Sequence, residues 1–303
     1  MRTLSLWFEA VRPRTLVLAV AGVVLGVLLA AARGPVQWRT AALTLLTAVL
    51  LQVLSNLAND YGDSVHGADD HNRVGPTRAV QSGRVGRRQM LAAVLLSAAL
   101  AVVSGLALVW SAVATIGVPA AVVILALGAA AVWAAWAYTG SAKPYGYVGL
   151  GDAMVFLFFG LVAVLGTSYL QTGGFAALDA LPAAAFGLLA AAVLNVNNLR
   201  DLAGDRAAGK LTVPVRLGAR GGRAYHLALL AGAPTLALAA ALLDWRSVWQ
   251  LLFLVTLPAL AALQRQVNAR DGAALDPLLK RTALTALAFA VTLGVGWLLA
   301  AGA

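Results

Sequence analysis

The chain has no cysteine among its 303 residues. That excludes disulfide staples, thiol nucleophiles and sulfur-ligated metals. Charge is scarce too, with Asp, Glu, Lys and Arg making up 11% of residues. Hydrophobic residues reach 61% and the mean hydropathy is +0.84. A soluble protein of this length needs far more polar surface to cover itself. No polar stretch is long enough to build a soluble domain. No cleavable leader is expected either, since the first apolar run starts near Leu16 and lacks a small-residue cleavage site. Of the three histidines, His66 and His71 have no partner at metal-ligand spacing and read as solvated loop residues.

What remains is a polytopic membrane protein, with the lipid bilayer as its solvent. Nine apolar runs cover roughly residues 16–32, 41–57, 91–109, 116–137, 153–170, 181–198, 224–243, 248–264 and 283–301. Each approaches the ~20 residues that cross ~30 Å of hydrocarbon as a helix. The second, sixth and eighth are short, so they are expected to tilt little or to continue into the polar segments beside them. Strands of a membrane barrel would alternate in ten-residue segments, and these runs do not. The expected fold class is all-α, with nine transmembrane helices in one unit spanning residues 1–303.

Basic residues orient the helices. With the N-terminus in the cytoplasm, nineteen Lys and Arg fall in cytoplasmic segments and only Arg33, Arg39 and Arg246 fall outside. The formal net charge of +10 is therefore mainly an orientation signal. It does not call for nucleic acid as a partner, and no obligatory protein partner is evident.

The twelve acids are unevenly placed. Asp60, Asp63, Asp69 and Asp70 follow the second run, within a polar stretch at about 58–89. Asp201 and Asp205 follow the sixth, within 199–223. If the second run continues as helix, Asn56, Asp60 and Asp63 share one face. If the sixth continues, Asn198, Asp201 and Asp205 do the same, and Asn195 extends that stripe into the membrane. Carboxylates this close repel one another and are costly near lipid. Arg200 and Arg206 offset part of that charge. Oxygen-only clusters without His or Cys suit a hard cation, above all Mg²⁺. Mg²⁺ takes one or two carboxylates and completes its shell with water and phosphate oxygens. Arg73, Arg78, Arg84, Arg206 and Lys210 lie in the same loops, where they can grip a pyrophosphate. The residues thus point to a Mg²⁺–diphosphate site at the cytoplasmic mouth of a membrane cavity.

These stretches carry a family resemblance. "NLANDYGD" with the following "GAD" and "VGPTRAVQSG" resembles the first Asp-rich motif of the UbiA-type intramembrane prenyltransferases. "NVNNLRDLAGDRAAGKLTVPVRLG" resembles the second. "YTGSAKPYGYVGLGDAMVFLFFGLVAVLGTSYLQT", residues 138–172, narrows the likeness to the 1,4-dihydroxy-2-naphthoate polyprenyltransferase branch. The resemblance runs from "RPRTL" at Arg12 through the ninth helix.

It implies nine helices around a central cavity, capped by polar loops on the cytoplasmic side. It also implies a polyprenyl diphosphate held through Mg²⁺ by both motifs. Asn59, Asp60, Asp63 and Asp69 match the first motif, with Asp70 adjacent as an alternative to Asp69. Asn198, Asp201 and Asp205 match the second. Asp69 stands six residues after Asp63, where many wider relatives have their third acid after four. Tyr138 and Lys143 have four residues between them, a longer spacing than the wider family shows. The implied reaction moves a prenyl group onto 1,4-dihydroxy-2-naphthoate with loss of CO₂, giving demethylmenaquinol at the plasma membrane.

For the aromatic acid, Lys143, Tyr138, Tyr145, Tyr147 and Asp152 are candidates in one short loop. Tyr also collects at membrane interfaces, and Lys143 also obeys the positive-inside rule. Asn72, Arg78 and Gln81 are further contacts by resemblance. Trp133, Trp136, Phe156, Phe158 and Phe159 are candidates to line the cavity with π-faces. The many Gly and Ala permit either close helix packing or room for an isoprenoid tail. Another acceptor, such as 4-hydroxybenzoate, homogentisate or a chlorin, is the rival within the family. A secondary transporter is the rival outside it, but its sites belong near the midplane.

Overall fold

The computed structural model of the protein describes residues 2–66 and 78–302. Among them there is no strand, and nine helices are long and apolar enough to cross a membrane. The helices run in order as α1 (Arg2–Val11), α2 (Pro13–Ala31), α3 (Trp38–His66), α4 (Arg87–Ile116) and α5 (Val118–Ala137). They continue as α6 (Gly151–Thr172), α7 (Ala177–Arg200), α8 (Leu202–Ala207), α9 (Val213–Leu243), α10 (Val248–Asn268) and α11 (Gly272–Ala301). Short α1 and α8 are the two that do not span.

Local sequence explains the boundaries. Pro13, Pro119 and Pro214 sit in the first turns of α2, α5 and α9, where a missing N–H costs nothing. Gly117 takes φ +77° between α4 and α5, a conformation that favours glycine and permits the sharp reversal. Gly218 (φ +73°) kinks α9. Through Phe156–Leu165, α6 is a π-helix, an uncommon form associated with functional sites.

α7 is the most buried span. It packs on α9, α6 and α11, with Phe186, Ala190 and Ala192 fully enclosed. α2 packs on α11, α3 and α6; α3 packs on α4 and α5. Where helices touch, side chains are small: Gly160 and Gly187 bring α6 and α7 together so closely that a Cβ on Gly160 would lie 2.6 Å from the Gly187 Cα. The helices enclose a cavity of about 340 Å³.

The second and sixth apolar runs both extend beyond the hydrophobic segment. α3 continues without a break to His66, so Asp60 and Asp63 stand on the last turns of a membrane helix rather than in a loop. α7 ends at Arg200, and the chain turns at Asp201 before α8. Bonds from Asp201 N to Asn197 O (3.1 Å) and from Asp205 N to Asp201 O (2.8 Å) carry the helical path across that turn.

Candidate active site

At one end of the cavity the two acidic helix ends face each other across a small polar pocket. Its walls include Asn59, Asp63, Arg78, Tyr138, Tyr147, Asn197, Asn198, Asp201, Asp205 and Lys210. Asn59, Tyr138 and Asn197 also line the large cavity, so the two spaces meet there.

Asp63 is the centre of this pocket and has no exposed surface. It forms ion pairs with Arg78 Nη1 at 2.5 Å and Lys210 Nζ at 2.8 Å. The Tyr147 hydroxyl donates to its Oδ1 at 3.0 Å. Lys210 Nζ also lies 4.7 Å from the Tyr147 ring centre. Arg78 reaches back to Asn59, donating to its backbone and side-chain oxygens at 2.9 and 2.8 Å. Residues from α3, from the segment before α4 and from the α8–α9 turn are thereby tied through one carboxylate. Gly62 permits this: a Cβ there would collide with the Thr139 carbonyl.

The opposite wall is organised by Arg200. Its side chain is 3% exposed and grips Asp201 through Nε (2.8 Å) and Nη2 (2.6 Å). Nη1 pairs with Asp276 at 2.5 Å, and Asn197 Oδ1 accepts from Nη2 at 2.9 Å. Asp276 also takes Arg14 at 2.9 Å. A charged chain thus runs from α2 through α11 to the second acidic motif.

Tyr138 and Tyr145 sit where polar pocket and cavity meet, rings 5.4 Å apart. Burial, reinforced by the charges of Asp63 and Asp205, pushes the Tyr138 phenol well above its ordinary pKa. Burial does the same for Tyr145, whose hydroxyl donates to Ala134 O at 2.9 Å. Both therefore remain neutral hydroxyls at physiological pH.

Several expected residues lie elsewhere. Asp60 is buried and accepts from Ala79 N at 3.2 Å, outside the polar lining. Asn56 lines the cavity deeper down and donates to Val11 O (2.7 Å) and Thr15 Oγ1 (2.9 Å). Asn195 turns away and donates to Gly222 O at 3.0 Å, tying α7 to α9. Gln81 accepts from Arg78 N at 3.2 Å. Lys143 and Arg206 are exposed and line neither space. Asp152 is buried against Tyr225. Phe158 and Phe159 line the cavity; Trp133 is exposed, Trp136 stacks on Tyr61 and Phe156 packs on Gly187. Asp69, Asp70, Arg73, His71 and Asn72 lie outside the described residues.

Sequence reasoning missed Asn197, Thr212 and the Arg14–Asp276–Arg200 chain. Asn197 carried a signal, since it sits inside the second motif beside Asn198. Asp276 carried none, being distant in sequence from both motifs.

Among the described residues, no three Asp, Glu or His side chains converge as a ready metal cage. The donors are nevertheless all oxygen, and acids on both walls face one space. That set fits a hard cation whose remaining ligands are phosphate oxygens and water.

A charged pocket of paired acids and bases above an apolar cavity within a helical bundle defines a membrane protein built for an amphiphile with an anionic head. The chain belongs to the UbiA prenyltransferase family, whose model matches residues 19–285. It is 44% identical to the 1,4-dihydroxy-2-naphthoate octaprenyltransferase of Escherichia coli K12 over 282 residues, covering 93% of this chain and 91% of that protein. The same-named protein of Mycobacterium tuberculosis H37Rv is 41% identical, covering 96% of each. A solved UbiA homolog from Aeropyrum pernix K1 superposes with a TM-score of 0.67 at 20% identity, covering 93% of this chain and 96% of that one. A UbiA homolog from Archaeoglobus fulgidus bound to DMAPP and Mg²⁺ superposes at 0.58 and 18% identity, covering 94% and 99%. These likenesses place the fold, and the curated relatives place the branch.

Proposed function

We propose that this protein transfers a polyprenyl group from its diphosphate to 1,4-dihydroxy-2-naphthoate, with loss of CO₂, at the plasma membrane. Full-length identity to naphthoate prenyltransferases carries the acceptor. The polar pocket opening onto an apolar cavity carries the donor: a charged head beside Asp63 and Lys210, a tail below. The positive-inside count supports a pocket facing the cytoplasm.

The chemistry follows from the walls. Arg78 and Lys210 now spend their charge on Asp63. An arriving diphosphate offers them more negative charge, so they turn to its oxygens. The Asp63 carboxylate is then free to hold cation. Asn198, Asp201 and Asp205 face it from the other wall. Mg²⁺ bound here with the diphosphate would neutralise charge developing on the leaving group. The allylic C–O bond breaks with its electron pair passing to diphosphate. The electron-rich naphthoate ring carbon bonds to the allylic carbon, and the ring's carboxylate departs as CO₂, its bonding pair restoring aromaticity. Tyr138 and Tyr145, neutral at the junction, suit hydrogen bonding to the acceptor. Cavity walls such as Leu18, Met154 and Phe158 exclude the water that would quench the cation.

Offering purified protein each of 1,4-dihydroxy-2-naphthoate, 4-hydroxybenzoate and homogentisate with geranylgeranyl diphosphate tests this. Product from the naphthoate alone supports the reading. Product only from another acceptor moves the branch while keeping the site.

A further inference from the structure

A naphthoate acceptor brings a carboxylate into a cavity walled mostly by apolar side chains. Without a cation beside it, that charge is costly to bury. Lys143, the loop cation between Tyr138 and Tyr145, lines neither space. Arg78 and Lys210 face the small polar pocket, and Arg14 and Arg200 are engaged with Asp276. Among the described residues that line the large cavity, a single one is charged, and it is Arg12.

Its placement is built into the backbone. Arg12 joins α1 to α2 with φ +53°, the one positive φ on a non-glycine residue among those described. Residues with side chains rarely adopt that left-handed conformation, so neighbours must hold it. The Arg12 N–H donates to Glu9 O at 3.1 Å. Its carbonyl accepts twice from Thr15, from the backbone N–H at 2.9 Å and from Oγ1 at 3.0 Å. From α3, buried Asn56 donates to Val11 O at 2.7 Å and to Thr15 Oγ1 at 2.9 Å, clamping both sides of the turn. Thr15 and Asn56 line the cavity beside Arg12. Asn59, where the cavity meets the polar pocket, is three residues along α3 from Asn56, a rise of ~4.5 Å. The turn at Arg12 therefore lies about one helical turn from the level that divides the donor's head from its tail.

We propose that Arg12 binds the carboxylate of the aromatic acceptor and so selects an aromatic acid over an uncharged phenol. This deepens the prenyl-transfer reading above and rests on it. A guanidinium offers two parallel N–H donors to a carboxylate, which fixes the rotation of the ring as well as its place. The carboxylate loses its charge as it departs as CO₂, so the pairing is stronger in the ground state than in the decarboxylating transition state. Arg12 therefore acts on acceptor affinity, and its removal raises KM far more than it lowers kcat. A diphosphate offers a guanidinium the same chemistry, so the test separates the two anions.

Arg12→Gln, Arg12→Lys and Arg12→Gly are assayed in Mg²⁺, varying 1,4-dihydroxy-2-naphthoate and geranylgeranyl diphosphate in turn. Binding of 1-hydroxy-2-naphthoate and of 1-naphthol, its counterpart without the carboxylate, is measured by calorimetry with no turnover. Arg12→Gln is expected to raise the naphthoate KM about tenfold to a hundredfold, the scale of a charged hydrogen bond. It leaves the donor KM unchanged and abolishes the preference for 1-hydroxy-2-naphthoate over 1-naphthol. Arg12→Lys keeps part of that preference. Arg12→Gly relieves the left-handed backbone and melts no lower than wild type, so its loss of the preference is not unfolding. An unchanged naphthoate KM, or a preference retained in Arg12→Gln, overturns the assignment. A donor KM that rises as much as the acceptor's moves Arg12 to the diphosphate and overturns it too. Wild type that transfers nothing to the naphthoate overturns the functional reading, and the binding comparison then decides Arg12 separately.

Discussion

Asp63→Asn separates the stability of the pocket from its chemistry. The substitution keeps shape and removes one charge at a site with no exposed surface. Arg78 and Lys210 side chains, 8% and 13% exposed, then lose their common anion. Breaking a buried pair by deleting one partner costs about 3–5 kcal/mol, because the surviving charge stays buried. Here two cations lose the same carboxylate, so a cost within that range is expected. The melting midpoint in detergent falls by several degrees. Prenyl transfer falls ~100-fold or more, the scale for losing one electrostatic element of a site. Adding Lys210→Met removes the buried ammonium that Asp63 had paired, so the double variant melts above Asp63→Asn alone while staying inactive. An Asp63→Asn protein with unchanged melting and unchanged turnover would refute this account of the pocket.

Other outcomes follow from the same geometry. Lys210→Met lowers turnover strongly, whereas Lys143→Met, on the exposed loop surface, lowers it far less; steady-state kinetics of both checks the difference. Asp276→Asn removes the anion that Arg200 shares its charge with, leaving it to Asp201 and the Asn197 amide, so the apparent Mg²⁺ requirement rises more than kcat falls, read by titrating the metal. Asn195→Ala removes the bond to Gly222 and lowers the melting midpoint with kcat little changed. Tyr138 and Tyr145 stay protonated as pH rises through the ordinary tyrosine range near pH 10. The Tyr138→Phe/Tyr145→Phe double variant therefore shows the same phenolate absorbance as wild type at about pH 10.5.

Much of this was readable before the fold. Nine spans are a matter of apolar length, and helix period puts Asp60 and Asp63 on one face once the second run continues past its apolar end, as α3 does. Period did not separate their roles. Asp63 turns to the pocket while Asp60 turns to Ala79, because the packing of the segment before α4 decides it. Asn195 matched the stripe of the second motif yet serves α9, since a buried amide must find a partner and the Gly222 carbonyl is within reach. Asp276 escaped notice because its partners, Arg14 and Arg200, stand 262 and 76 residues away in the chain.

The most direct test uses carboxyl-labelled 1,4-dihydroxy-2-naphthoate and geranylgeranyl diphosphate with purified protein, in Mg²⁺ and in EDTA. The account predicts Mg²⁺-dependent release of labelled CO₂ in equal amount to a prenylated product lacking the carboxyl group. Prenylated product that keeps its carboxyl, or transfer indifferent to EDTA, would contradict it.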